Sequence, residues 1–259
     1  MKIFSLRSGS RGNAALVLSE KNKILIDCGI SGKATEAALA DIGVNPSEID
    51  GIIITHEHSD HIAGVGIMMR RYNIPVWANA ETWQAMSGQI GRYNDALVKI
   101  FENEKEFEIG NVGIKPFSIP HDAACPVGYS LKDGKEKISV ATDIGELKKD
   151  LFSAIRGSST VLLEANHDVN MLEIGNYPLP LKRRIRGKLG HLSNDDAAMA
   201  AEFLVKLGTE KILLGHLSEE NNYPELAMQT VLCGLDKAGI KVGEDVLLDV
   251  ASREKVVTI

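Results

Sequence analysis

Thr55-His56-Glu57-His58-Ser59-Asp60-His61 places four residues able to bind a metal within six positions, directly behind the apolar run Ile52-Ile53-Ile54. That run, bounded by Gly51, reads as a short buried strand. In an extended chain residues i and i+2 point the same way, so His56 and His58 aim at one point. The chain must then turn. The apolar stretch from Ile62 to Met69 reads as a helix, with Ser59 or Asp60 near its cap. The turn lets Asp60 and His61 face a second point beside the first. The segment uses three of the seven histidines and sits at the C-terminal end of a strand, where open α/β sheets place their sites. It reads as a site for two neighbouring metal ions. The competing reading is a histidine-rich surface loop.

The surrounding chain is ordinary for a soluble globular protein, with 44% hydrophobic and 25% charged residues among 259. No linker, low-complexity tract or short repeat divides it, so one domain over residues 1–259 is expected. The net charge of −6 gives no global electrostatic case for nucleic acid, and any such case needs a local patch. Cys28, Cys125 and Cys233 are few, odd in number and far apart, which fits a reducing compartment. The N-terminus Met1-Lys2-Ile3-Phe4-Ser5 lacks the apolar core of a signal peptide. No apolar run approaches the roughly 18 residues that a membrane span needs. A cytoplasmic protein is therefore expected.

Four ligands from one loop cannot fill two coordination spheres, so the remainder must come from other strand ends. His121 follows an apolar run at 112–119, Asp143 follows 137–141 and His216 follows 211–214. Each is alternatively a capping or supporting residue, but the recurrence gathers all three along one sheet edge. Asp60 and Asp143, if close without a cation, would repel and shift their pKa values upward, and two divalent ions remove that conflict. Imidazole and carboxylate without thiolate leave zinc, manganese or iron open. Cys125, near His121, reads as a structural thiol in preference to a ligand. Cys28 reads as core, and Asp27 as a residue that orients a metal-bound histidine.

Two further stretches have competing readings. Ser8, Ser10 and Asn13, in Ser8-Gly9-Ser10-Arg11-Gly12-Asn13, can donate to phosphate oxygens, or the loop is a plain connector. Lys182, Arg183, Arg184, Arg186 and Lys188 put five cations into seven residues, which reads as a nucleic-acid contact or as a solvated helix face. Ser193-x-x-Asp196 reads as a capping box opening a long helix. In Glu164-Ala165-Asn166-His167-Asp168, polarity after a strand argues against core. His167 then lines a substrate groove, contacts the metals or sits in a simple loop.

The His-x-His-x-Asp-His pattern resembles the signature of the metallo-β-lactamase fold, a four-layer αββα sandwich of the α/β class. The resemblance implies that His56, His58 and His121 hold a first ion, that Asp60, His61 and His216 hold a second, and that Asp143 bridges both. Two adjacent ions can bind a water between them and lower its pKa toward about 7. Such a pair suits phosphodiester cleavage, which is among the slowest uncatalysed reactions known. His191, in Gly190-His191-Leu192-Ser193, is then a free imidazole able to protonate a leaving oxygen, as in the ribonuclease Z-like phosphodiesterases it resembles. Its alternative role is at the helix cap. His191 and Asp60 are the candidate catalytic residues.

The resemblance narrows to the YycJ (WalJ) family through Ser8-Gly9-Ser10-x-Gly12-Asn13, Leu25-Ile26-Asp27-Cys28-Gly29, Thr142-Asp143-Ile144-Gly145, Glu164-Ala165-Asn166-His167-Asp168 and Gly190-His191-Leu192-Ser193-Asn194. It implies a metal-dependent exonuclease acting 5′ to 3′ on DNA, often with manganese. Arg11 departs from the small residue expected there. Only 72 residues separate Asp143 from His216, too few for the inserted domain of β-CASP nucleases, and no arm like the tRNA-binding exosite of ribonuclease Z is visible. The rival functions are a small-molecule hydrolase (a cyclic phosphodiesterase or lactonase), a ribonuclease Z-like RNA nuclease and a non-enzymatic scaffold. DNA is the expected partner. No membrane partner is expected, a homo-oligomer is compatible with the chain, and protein partners are not specified.

Overall fold

A computed structural model describes residues 1–259. Strands β1 (Lys2–Arg7), β2 (Ala14–Leu18), β3 (Lys23–Ile26), β4 (Gly51–Ile53), β5 (Val76–Asn79) and β6 (Val98–Phe101) lie side by side in one sheet. A second sheet holds β7 (Phe107–Ile109), β8 (Val112–Ser118), β9 (Val127–Asp133), β10 (Glu136–Ala141), β11 (Thr160–Glu164), β12 (Lys211–Gly215) and β13 (Leu247–Val250). The last strand, β14 (Val257–Thr258), returns to pair with β1, giving two sheets of seven strands.

Both sheets repeat one pattern. The first three pairings are antiparallel and the last three are parallel, from β3 to β6 in one sheet and from β10 to β13 in the other. Parallel neighbours need crossovers, and these carry the helices. They are α1 (Gly32–Ala40), α2 (Ser59–Ile62), α3 (Val65–Tyr72) and α4 (Ala80–Ser87) on the first sheet. On the second they are α5 (Lys149–Ile155), α6 (Val169–Ile174), α7 (Leu179–Ile185), α8 (Asn194–Lys206) and α9 (Pro224–Lys237).

The side-chain alternation of the strands divides the interior into three cores. Ile24, Ile26 and Ile53 meet Tyr129, Leu162 and Leu213 between the sheets. Leu25 and Ile52, on the opposite face of the first sheet, pack with Leu39, Met68 and Met86 of its helices. Val161, Leu163 and Leu214 do the same with Leu204 and Leu235. Apolar runs without alternation are thus explained by burial on both faces. The result is the expected α/β sandwich of four layers, helix–sheet–sheet–helix.

Local chemistry moves some boundaries. Ile74-Pro75-Val76-Trp77 reads as a short strand in the sequence, but Pro75 has no N–H to give the ladder, so β5 begins at Val76, although the Pro75 carbonyl accepts from Ile52. The helix expected over Ile62–Met69 is broken at Gly64, whose N–H donates to the Cys28 carbonyl at 2.7 Å and where a Cβ would lie 2.3 Å from the Ile30 carbonyl oxygen. The short α2 therefore starts at Ser59, with His58 as its cap residue. The capping box of Ser193 and Asp196 opens α8 as expected. No helix is long and apolar enough to cross a membrane.

Candidate metal centre

Six strands deliver polar groups to one rim. Asp27 follows β3, the His56–His61 segment follows β4, His121 follows β8, Asp143 follows β10, Glu164 ends β11 and His216 follows β12. Asp27, Asp143 and His216 all have left-handed backbones, with φ of 59°, 60° and 55°. Each such conformation costs on the order of 1–3 kcal/mol in a non-glycine residue, and such strain concentrates at functional sites. Here it turns the chain sharply as it leaves the strand, at the rim where the buried side chains of Asp143 and His216 converge.

All seven residues expected to hold metal come together. The potential ligand atoms of His56, His58 and His121 form one group, and those of Asp60, His61 and His216 another, each within 4.8 Å of one another. Asp143 stands between the groups, 3.4 Å from Nε2 of His61, 3.4 Å from Nε2 of His216 and 3.7 Å from Nε2 of His121. Nε2 of His56, His121 and His216 and Oδ2 of Asp143 are buried without a hydrogen-bond partner. Four orphaned polar atoms around one point are costly unless a cation satisfies them, so these residues fit divalent metal.

The remote ring nitrogens of His56, His61, His121 and His216 are tied down, which fixes these imidazoles with Nε2 toward the centre. His61 Nδ1 pairs with Asp27 Oδ2 at 2.7 Å, as expected for Asp27, which also accepts from Thr55 N and Oγ1 at 2.8 Å. His56 Nδ1 lies 3.0 Å from Thr55 Oγ1, and His121 Nδ1 donates to the Gly190 carbonyl at 3.2 Å. His216 Nδ1 lies 3.0 Å from Oε1 of Glu164. The same oxygen is 2.8 Å from Nδ1 of His191, while Oε2 accepts from the N–H groups of Ile144 and Leu192.

Glu164 is the residue that sequence reasoning missed. It is fully buried, and Asn166 and His167 beside it are 5% and 2% exposed, so the segment judged too polar for core is core. Glu164 and Asn166 are satisfied internally, whereas Nδ1 of His167 is buried without a partner. The signal that could have found Glu164 is the one that found Asp143, a carboxylate at the end of an apolar run.

The expected phosphate-binding residues have other tasks. Ser8 Oγ accepts from the His216 N–H at 2.8 Å, and Asn13 Nδ2 donates to Asp60 Oδ2 at 3.1 Å. Both brace the metal-binding segments from behind, and of this loop Ser10 reaches the cavity. His167 lies behind the cavity, with its backbone bridged to Ser193. Three cations of the basic run have carboxylate partners within the molecule. Lys182 Nζ donates to the carbonyls of Glu173 and Gly175 at 2.7 Å, Arg186 pairs with Glu173 at 2.6 Å, and Lys188 with Glu146 at 3.3 Å. Arg184 pairs with Asp122 and lines the cavity, while Arg183 projects into solvent without an ion pair. Of the run, Arg184 alone lines the cavity, and the other four cations lie outside it.

Above the cluster lies a cavity of about 200 Å³. Imidazoles and carboxylates form its floor, including half-exposed His58 and the 19% exposed side chain of His191. A larger groove of about 470 Å³ between α8 and α9 holds no histidine.

The electrostatics of the metal-free protein follow from burial among opposite charges. Burial opposes charge on His216, but Asp143, Asp60 and Glu164 outweigh it and raise its pKa to about 10. Burial also opposes charge on His61, yet Asp143 and Asp27 carry its pKa well above the ordinary value. Burial alone would raise Glu164, but His191 and His216 bring it down to about 2. His56 and His121 are held neutral, chiefly by burial. Metal binding requires neutral imidazole, so loading the protein at pH 7 is expected to release about two protons, from His61 and His216. Calorimetry in buffers of different ionisation enthalpy reads this number, and a release near zero contradicts the assignment. A raised folded pKa stabilises the metal-stripped protein fully below His216's ordinary value of 6.5, and that stability is lost as pH rises through about 10.

Gly29 shows how tightly the site is framed. A Cβ there would lie 1.6 Å from the Asp60 carbonyl oxygen and 2.7 Å from the His61 nitrogen. Gly29→Ala must displace the metal-binding turn. It is expected to destabilise by about 1–3 kcal/mol and to lower metal content, as read by denaturant unfolding and elemental analysis.

A four-layer αββα sandwich with paired histidine–aspartate clusters at its strand ends defines a metal-dependent hydrolase of the metallo-β-lactamase fold. The profile described as "Beta-lactamase superfamily domain" matches residues 22–217. The chain is 41% identical over 239 residues to Exodeoxyribonuclease YycJ of Bacillus anthracis, covering 92% of this chain and 90% of that protein. It is 42% identical over 242 residues to Exodeoxyribonuclease WalJ of Streptococcus pneumoniae serotype 2, covering 93% and 90%. The metallo-β-lactamase fold protein YhfI of Bacillus subtilis superposes with a TM-score of 0.73 over 100% of this chain and 99% of that one, at 15% identity. The chain belongs to the beta-lactamase superfamily and, within it, to the YycJ/WalJ family.

Proposed function

We propose that the protein is a dinuclear metal-dependent phosphodiesterase that digests DNA from a 5′ end, as a single domain over residues 1–259 acting in the cytoplasm. The observation that carries this reading is the convergence of two three-residue clusters on Asp143, with His191 beside them but already engaged by Glu164. The DNA substrate is supported by the names and 41–42% identity of the YycJ and WalJ relatives, and the polarity by the family likeness. His56, His58 and His121 would hold one ion, Asp60, His61 and His216 the other, and Asp143 both. Zinc and manganese suit this donor set. Bound there, the ions would supply a water of lowered pKa and polarise a phosphate oxygen.

The chain's own residues do the rest. Arg184, oriented by Asp122, presents its guanidinium at the cavity to a phosphate of the incoming strand. Nδ1 of His191 donates to Glu164, which leaves Nε2 for the substrate side. A proton on Nε2 passes to the departing oxygen, and the buried carboxylate of Glu164 stabilises the imidazolium before transfer. Ser8 and Asn13 keep His216, Asp60 and His61 in register.

The test is metal-dependent digestion of end-labelled linear and closed circular DNA, with manganese and with zinc. Release of label from the 5′ end, with circles spared, is the expected result. A second reading, a hydrolase of small phosphodiesters, is favoured by the modest cavity of about 200 Å³. Inert DNA alongside cleavage of a small cyclic phosphodiester would select it.

A further inference from the structure

The cavity has two unlike walls. One is the floor of imidazoles and carboxylates. The other comes from the bend after α6 and from α7, and it presents Tyr177, Leu181 and Ile185, all half-buried. Arg184 stands between Leu181 and Ile185 in the same helix and enters the same cavity. Phosphate chemistry alone needs no apolar wall. The cavity's volume of about 200 Å³ lies below the roughly 300–1,000 Å³ of drug-sized ligand pockets, which is room for part of one nucleotide and not for a duplex end. An aromatic residue lining the same cavity as an anion-binding floor can take a nucleobase by stacking.

Accepting that the substrate is a DNA strand, we propose that Tyr177 is the stacking platform for the base of the nucleotide adjoining the scissile phosphate, with Leu181 and Ile185 as its apolar surround and Arg184 on its phosphate. Tyr177 thereby positions the strand, one nucleotide at a time, and acts on any base, since every base has a π-face. Tyr177 is suited to this by its setting. Its hydroxyl is within reach of Ser218, which lines the same cavity.

Calorimetric titration of the manganese-loaded protein with deoxyadenosine 5′-monophosphate and with 2-deoxyribose 5-phosphate separates the base from the sugar phosphate. The nucleotide is expected to bind about tenfold more tightly than the sugar phosphate. Tyr177→Phe, which keeps the π-face, is expected to keep this ratio. Tyr177→Leu, which keeps apolar bulk without a ring, is expected to bring it close to one, with sugar phosphate binding unchanged. Equal binding of the two ligands by the unaltered protein, or a ratio preserved in Tyr177→Leu, overturns the proposal. DNA digestion by the same preparations reports separately on the nuclease reading. Digestion together with equal binding of nucleotide and sugar phosphate rejects the platform alone, and tighter nucleotide binding without digestion supports the platform while rejecting the exonuclease.

Discussion

Asp143→Ala is expected to reduce phosphodiester hydrolysis by about 10³-fold or more and to lower metal content, while leaving the two sheets folded. Asp143 is the only carboxylate within 4 Å of His61, His121 and His216 together. Without it the two clusters lose their common anion. In the metal-free protein the same change leaves the charges on His61 and His216 poorly matched in a buried place, a class of change that costs about 3–5 kcal/mol. Asp27 and Glu164 still face these two rings, so the lower end of that range is expected. Steady-state kinetics, elemental analysis and thermal unfolding of the stripped protein read the three effects. Full metal content with unchanged turnover would remove Asp143 from the site.

His191→Ala is expected to separate chemistry from metal binding. Turnover should fall by about 10²–10⁴-fold, the range for loss of a positioned general acid, with metal content unchanged. The contrast with Asp143→Ala is the useful part. His191 Nδ1 lies 3.7 Å from Asp143 and 2.8 Å from Glu164, so its ring touches the cluster without belonging to either three-histidine or histidine–aspartate group at the centre. An alternative set, Asp143, Glu164, His191 and His216, has ligand atoms close enough to hold an ion by itself. Loss of metal in His191→Ala would favour that set. A substrate with a better leaving group should recover much of the lost rate in His191→Ala, because it needs less protonation as it departs, and none of it in Asp143→Ala.

The sequence made the centre legible because its logic is local. The spacing of His56, His58, Asp60 and His61, and the habit of placing a polar residue just after an apolar run, located His121, Asp143 and His216 without knowledge of the topology. The same habit would have pointed to Glu164, but its polar neighbours left the segment readable as a groove lining, a metal contact or a simple loop. Burial of Glu164 depends on four distant partners, His191, His216 and the N–H groups of Ile144 and Leu192, and spacing cannot reveal that. The basic run was open to two readings for a related reason. Five cations in seven residues look like a phosphate track or a solvated face, and spacing cannot show that Asp122, Glu146, Glu173 and two carbonyls at the end of α6 meet four of them in the folded chain. The Ser8–Asn13 loop looked like a phosphate cradle because its groups are good donors. They serve instead as partners for the backbone of His216 and the side chains of Asp60 and His61. Helix and strand boundaries shifted where one residue's chemistry intervened, at Pro75 and Gly64.

The proposed activity requires two ions held by seven side chains, with His191 outside both coordination spheres. Anomalous scattering from crystals of the manganese-loaded protein tests this most directly. Two peaks are predicted, one among His56, His58 and His121 and the other among Asp60, His61 and His216, with Asp143 contacting both. A single peak, or one centred between Glu164 and His191, would contradict it.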